Sequence, residues 1–151
     1  MTRCPECGAC YETDDDSCTG RFNQLLAFDH SRQEPWGSRH GQAFAAFALQ
    51  HPERFAGSLD HAWAALRRIY VTGDRPSLVF DQLRSRPREV LAEWNVPPRS
   101  LLPITAPSVT IADLGAFDAG SYAERLDEWC RAAIAMWDGS TARTNSTEAS
   151  A

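Results

Sequence analysis

The sequence predicts an all-α fold, a single helical domain with a small cysteine-rich segment at its N-terminus. Apolar residues recur at helical spacing in several stretches, and no stretch alternates apolar and polar residues over a useful strand length. A chain of 151 residues with 43% hydrophobic side chains can form one core but not two large domains. We expect a cysteine-rich segment over 1–18, a helical body over 19–138 and a disordered tail rich in Ser, Thr and Ala over 139–151.

The first predicted helix leaves the cysteine-rich segment directly. Phe22, Leu25 and Leu26 follow Cys18 at the spacing of one helix face. Cys18 is therefore expected at the start of this helix.

The second predicted helix follows Ser38, a suitable N-cap, and continues to Gln50, with Pro52 ending it. One stripe along this helix is expected to face the core or a partner domain; it contains His40, Ala43, Phe44, Phe47 and His51.

The third predicted helix follows Ser58 and has two usable faces, one apolar through Trp63 and one that carries His61. Shorter helical segments are predicted around 78–83 and 88–94. A Pro-rich linker then leads to the remaining helices.

Two further helices complete the predicted body. Thr110 and Asp113 have the spacing of a capping box that opens a short helix. The last helix, from Tyr122 to Trp137, is the most periodic stretch and stops at Gly139. Cys130 lies on its apolar face, which favours a core thiol over a reactive one.

Composition excludes several classes of function. All fifteen basic residues are arginine, so neither a lysine Schiff base nor a P-loop lysine is available. The net charge is −5 and the arginines are scattered, which argues against nucleic acid as a partner. No leader and no membrane-spanning stretch is recognisable, so we expect a cytoplasmic protein without a membrane partner.

The cysteines predict a metal site. Cys4-Pro-Glu-Cys7-Gly is a turn in which two thiolates can reach one tetrahedral zinc ion, and Cys18 follows nearby. Clustered cysteines in a reducing compartment are more often ligands than disulfides, and five cysteines cannot pair completely. Zinc is therefore the expected cofactor.

The fourth ligand is left open by the sequence among Cys10, a histidine and a water. Three sulfurs at two-residue intervals rarely converge on one ion, so a histidine is favoured over Cys10. His40 and His51 are eleven residues apart on one helix, about 16 Å at about 1.5 Å per residue, and cannot both bind one ion. The predicted ligand set is Cys4, Cys7, Cys18 and His40, with His51 and His61 as alternatives.

Iron is the competing metal, because Cys4, Cys7 and Cys10 have a ferredoxin-like spacing. The later cysteine lacks a Cys-Pro context, and only one cluster-type run is present. A thioredoxin-like role for the Cys4-Cys7 pair is disfavoured, since no βαβ unit surrounds it.

Several motifs together resemble the bacterial family of unknown function DUF5946. The resemblance spans most of residues 4–138, and it is carried by Cys4-Pro-x-Cys7-Gly, Gln50-His51-Pro52, His61, Trp94 with Pro97-Pro98, Thr110-Ile-Ala-Asp113-Leu and a Trp-containing last helix. It implies a mostly helical, metal-binding protein and supplies no activity. Cys10 departs from the family pattern, which favours a spare thiol.

Two functional hypotheses follow. In the first, zinc is mainly structural, and the protein binds a protein partner or a small molecule. In the second, the protein is a metal-dependent enzyme with hydrolytic or group-transfer chemistry on a small metabolite, in which an open zinc position polarises a water or substrate oxygen and His51, His61 or Glu6 moves the proton. A thiolate-rich site blunts the Lewis acidity of zinc, which favours the first.

Overall fold

A computed structural model describes residues 1–139; the predicted disordered tail lies, from residue 140 onward, outside the described residues. The all-α prediction is confirmed, since this part of the chain contains six α-helices and one two-stranded sheet. The strands are β1 (Thr2–Arg3) and β2 (Cys10–Tyr11), and the helices are α1 (Cys18–His30), α2 (His40–Gln50), α3 (Leu59–Tyr70), α4 (Pro76–Ser85), α5 (Pro87–Trp94) and α6 (Tyr122–Trp137). No helix within residues 1–139 is both long and apolar enough to cross a membrane.

Local sequence signals explain most of the helix boundaries. Ser17 caps α1, since its Oγ accepts a hydrogen bond from Gly20 N at 3.0 Å. Pro76 and Pro87 occupy the first turns of α4 and α5, where the missing N–H costs nothing. The predicted capping box at Thr110 is present and opens a short 3₁₀ helix.

The start of α2 differs from the prediction. The α-helix begins at His40, after a 3₁₀ turn over Gly37–Arg39, so that Arg39 and not Ser38 occupies the N-cap position. The Ser38 hydroxyl donates to Glu34 Oε2 at 2.6 Å and therefore does not cap the helix.

The core surrounds α2, which packs against α3 and α6. Small side chains on α2, among them Ala43, Ala46 and Ala48, are fully buried and let the neighbouring helices approach closely. Trp129 and Trp137 of α6 are the largest fully buried side chains in this core.

Hydrogen bonds fix the C-terminal end of α2 to its surroundings. The Gln50 side chain is completely buried; its amide donates to Val109 O at 2.8 Å, and its oxygen accepts from Trp129 Nε1 at 3.0 Å. Trp137 Nε1 donates to Leu49 O at 2.8 Å. The residue that follows Gln50 is thereby held in one position.

The N-terminal segment forms a hairpin that the sequence pattern did not indicate. Its antiparallel strands pair Thr2 with Tyr11 and Arg3 with Cys10. Two residues per strand are too few to show an alternating pattern. Alternation nevertheless decides which side chain faces inward, since Tyr11 is buried whereas its neighbour Cys10 is exposed.

Candidate metal centre

The first two sulfurs come from the turn that joins the strands. Cys4 N donates to Ala9 O at 2.8 Å, and Gly8 N donates to Cys4 O at 2.9 Å, so the chain folds back tightly. Gly8 has φ +81°, a left-handed conformation that favours glycine and explains this residue directly after Cys7. The turn brings the side chains of Cys4 and Cys7 to one side.

The third sulfur comes from the start of α1. Cys18 is the first residue of this helix and is buried. Its Sγ lies 3.5 Å from Cys7 Sγ. The loop between β2 and α1 thus returns the chain to the sulfurs of the turn.

The nitrogen ligand comes from the residue just after α2. His51 is fully buried, and its ring stacks on Phe47 with centroids 4.0 Å apart. His51 Nδ1 lies 2.8 Å from Phe47 O, and because a carbonyl only accepts, Nδ1 carries the proton. Nε2 then has a lone pair, is buried, and makes no hydrogen bond of normal geometry within the described chain.

These four side chains converge. The ligand atoms of Cys4, Cys7, Cys18 and His51 all lie within 4.8 Å of one another. Three thiols around an unpartnered imidazole nitrogen match the donor types that soft and borderline metal ions prefer. The four residues lie close enough together to bind one metal ion.

The thiols of the cluster differ in acidity. The Cys7 thiol donates toward Cys18 Sγ, and this hydrogen bond is the largest cause that lowers the pKa of Cys18 to about 4; the Tyr11 hydroxyl acts in the same direction. The same hydrogen bond, with burial, raises the pKa of Cys7 well above its usual range. The cluster therefore concentrates its negative charge on Cys18.

Tyr11 contacts the cluster from β2. Its hydroxyl lies 2.9 Å from Cys18 Sγ, and burial followed by this hydrogen bond raises the pKa of Tyr11. The phenol therefore stays protonated and donates to the sulfur. Tyr11 is not among the residues predicted from the sequence, because a strand of two residues shows no alternating pattern that would mark it as facing inward.

The remaining predicted site residues lie elsewhere. His40, selected from the sequence as the fourth ligand, is replaced in the cluster by His51, and its Nδ1 lies 2.9 Å from Asp29 Oδ2. His61 lines a separate cavity between α2, α3 and α4. Glu6 accepts from Arg54 Nε at 3.2 Å and from the backbone N–H of Glu53.

Cys10 does not join the cluster. It is exposed, and its Sγ lies 3.7 Å from Gly8 O. The expectation that Cys10 is a spare thiol agrees with this position.

The chain was compared with protein families, curated proteins and solved structures. The model of the family of unknown function DUF5946 matches residues 2–138. No curated protein and no solved structure matches the chain.

Proposed function

Because the chain belongs to DUF5946, a family of unknown function, we propose its role from the site: a small zinc-binding protein with a mainly structural ion. Cys4, Cys7, Cys18 and His51 hold the zinc, which fastens the N-terminal hairpin to the helical body. The helical body in turn binds a protein partner or a small molecule. The observation that carries this proposal is the buried, unpartnered Nε2 of His51 beside three thiols.

The donor set favours zinc. Two sulfurs bound at about 2.3 Å to one tetrahedral zinc ion lie about 3.8 Å apart, close to the 3.5 Å between Cys7 Sγ and Cys18 Sγ. The third cysteine of the ferredoxin-like run, Cys10, is exposed and lies outside the cluster. The cluster therefore does not use the ferredoxin-like cysteine spacing that had made iron the competing metal.

A structural role follows from closure and burial. Four protein ligands complete a tetrahedral shell, and Cys7, Cys18 and His51 are all less than 5% exposed. The ligands come from the hairpin, from α1 and from the end of α2. One ion thus joins three parts of the chain that the two-residue strands alone hold weakly.

The alternative of a metal-dependent enzyme gains no support from the positions of its proposed acid–base groups. His51 lies among the sulfurs, Glu6 is paired with Arg54, and His61 lies in another cavity. Coordinated thiolates also reduce the Lewis acidity of zinc. We therefore propose no reaction at the metal.

Elemental analysis of protein purified without added metal tests the proposal, together with X-ray absorption. We expect one zinc per chain with three sulfur ligands and one nitrogen ligand. Cys18→Ser should lose the zinc, and Cys10→Ser is the matched control that should keep it. Iron with labile sulfide, or a three-ligand zinc with an exchangeable oxygen, would contradict the proposal.

A further inference from the structure

A second candidate site lies at the opposite end of α2 from the metal cluster. A cavity of about 280 Å³ is formed there by α2, α3 and α4. Its walls are mostly apolar, with two aromatic rings, Phe44 and Phe80, and the aliphatic side chains of Ala62 and Leu83. Its volume lies close to the lower limit, about 300 Å³, of pockets that hold small molecules, and its mostly apolar lining is typical of them.

Among the polar side chains of the described chain that line this cavity, His40 is the one whose orientation is fixed by a hydrogen bond. Its Nδ1 lies 2.9 Å from the Oδ2 of Asp29, whose side chain is only 2% exposed. The His40 side chain is 45% exposed, and its Nε2 makes no hydrogen bond within residues 1–139. A buried carboxylate on one imidazole nitrogen sets the tautomer and the ring position, and leaves the other nitrogen available to a ligand.

Gly41 shapes the cavity from the next position of α2. A Cβ placed on Gly41 would lie 2.6 Å from the Phe80 ring, so the ring can lie in its present position against α2 only because this residue is glycine. Gly41 and Phe80 both line the cavity. A methyl group at residue 41 would therefore push an aromatic wall out of place.

The charge of the lining restricts the ligand. Among the described residues that line the cavity there is no aspartate, glutamate or arginine, and the ionisable groups are His40 and His61. A neutral ligand thus suits the site better than a strong anion. In the neutral imidazole whose Nδ1–H is directed to Asp29, Nε2 is a hydrogen-bond acceptor, and a hydroxyl group is the ligand donor that matches it.

We propose that this cavity binds a small, neutral, ring-containing molecule whose hydroxyl group donates a hydrogen bond to His40 Nε2. Phe44 and Phe80 contact the ring, and Asp29 acts as a positioning residue that holds the imidazole. The inference rests on the proposed ligand-binding role of the helical body but not on the metal.

A matched pair of probes tests this inference: p-cresol and toluene, which differ by one hydroxyl group. Each is titrated into the zinc-loaded full chain and followed through amide NMR shifts. We expect p-cresol to bind about five- to tenfold more tightly than toluene, the usual worth of one neutral hydrogen bond. The shifts should centre on α3, α4 and the start of α2. Equal affinity, no binding of either probe, or shifts centred elsewhere would overturn the proposal.

Variants of the cavity sharpen the test. His40→Leu should abolish the preference for p-cresol, whereas His40→Gln, which keeps an acceptor, should retain most of it. Gly41→Ala should weaken the binding of both probes, because the added methyl group displaces Phe80. Leu78→Ala is the control, since Leu78 is exposed on α4 and does not line the cavity. Unchanged preference in His40→Leu would contradict the assigned role of His40.

Zinc content is measured on every sample. Loss of probe binding with zinc retained contradicts only this inference, whereas retained probe preference in a chain that binds no zinc contradicts only the proposed metal site. The two proposals are thereby tested separately.

Discussion

The two ends of helix α2 each carry a histidine whose Nδ1 is hydrogen bonded, yet they build different sites. His51 at the C-terminal end is bound to its own helix through Phe47 O, is fully buried, and lies among three thiols. His40 at the N-terminal end is bound to Asp29, is half-exposed, and lines an apolar cavity. The elements packed around each end, and not the histidine itself, set the chemistry.

The comparison also shows how each imidazole is oriented. A backbone carbonyl orients His51, so α2 itself fixes its tautomer. A side chain from α1 orients His40, so that geometry depends on how α1 packs against the start of α2. We therefore expect the His51 end to respond to the metal and the His40 end to be insensitive to it.

Removal of the metal should have the largest effect and should be confined to one end. A strong chelator should lower Tm by roughly 10 °C or more, because loss of a tightly bound ion removes its full binding contribution to stability. Hydrogen exchange should accelerate over residues 2–18 and around His51, while amides near His40 keep their protection. Equal loss of hydrogen-exchange protection near His51 and near His40 would contradict the proposed difference between the two ends of α2.

Exchange of each histidine for alanine separates the two ends directly. His51→Ala should weaken metal affinity by at least about 100-fold, since even loss of a residue that only supports a ligand costs about 10–100-fold. His40→Ala, on the same helix, should leave the affinity unchanged. Competition with a chelating dye measures both values, and the opposite ranking would restore His40 as the fourth ligand.

Two buried glutamines on α2 allow a matched test of whether the hydrogen bonds of Gln50 hold the neighbouring His51 in position. Gln50→Ala should cost about 2–3 kcal/mol of unfolding free energy, because it leaves Trp129 Nε1 and Val109 O without partners. It should also weaken metal binding, since the neighbouring His51 loses its anchor. Gln42→Ala breaks a hydrogen bond to Tyr70 and should destabilise the fold without changing metal affinity. Urea unfolding and metal competition distinguish these outcomes.

Two serines near helix starts should give the smallest effect. Ser17→Ala removes the N-cap of α1 and should cost about 1 kcal/mol, because Gly20 N loses its acceptor. Ser38→Ala removes no cap of α2, and its exposed side chain should contribute less than about 0.5 kcal/mol. A similar loss of stability in both variants, measured by thermal unfolding, would contradict the assignment of Ser17 as the N-cap of α1.

Much of the fold could be read from local patterns. Helical spacing located α1, α3 and α6, and the capping box at Thr110 was visible from two residues. The start of α2 was misplaced because Ser38 has a competing partner, Glu34, which only the folded turn brings near. Tyr11 was missed because a strand of two residues has no detectable period.

The sequence by itself determined the helical class and the three cysteines of the cluster, because helical spacing and the Cys4-Pro-Glu-Cys7-Gly turn act over a few residues. Only the tertiary structure decided between His40 and His51. The two share one stripe of α2, and local spacing cannot distinguish them. The choice depends on the hairpin and Cys18 reaching the C-terminal end of α2, a long-range contact that the Gln50 and Trp137 hydrogen bonds help to fix.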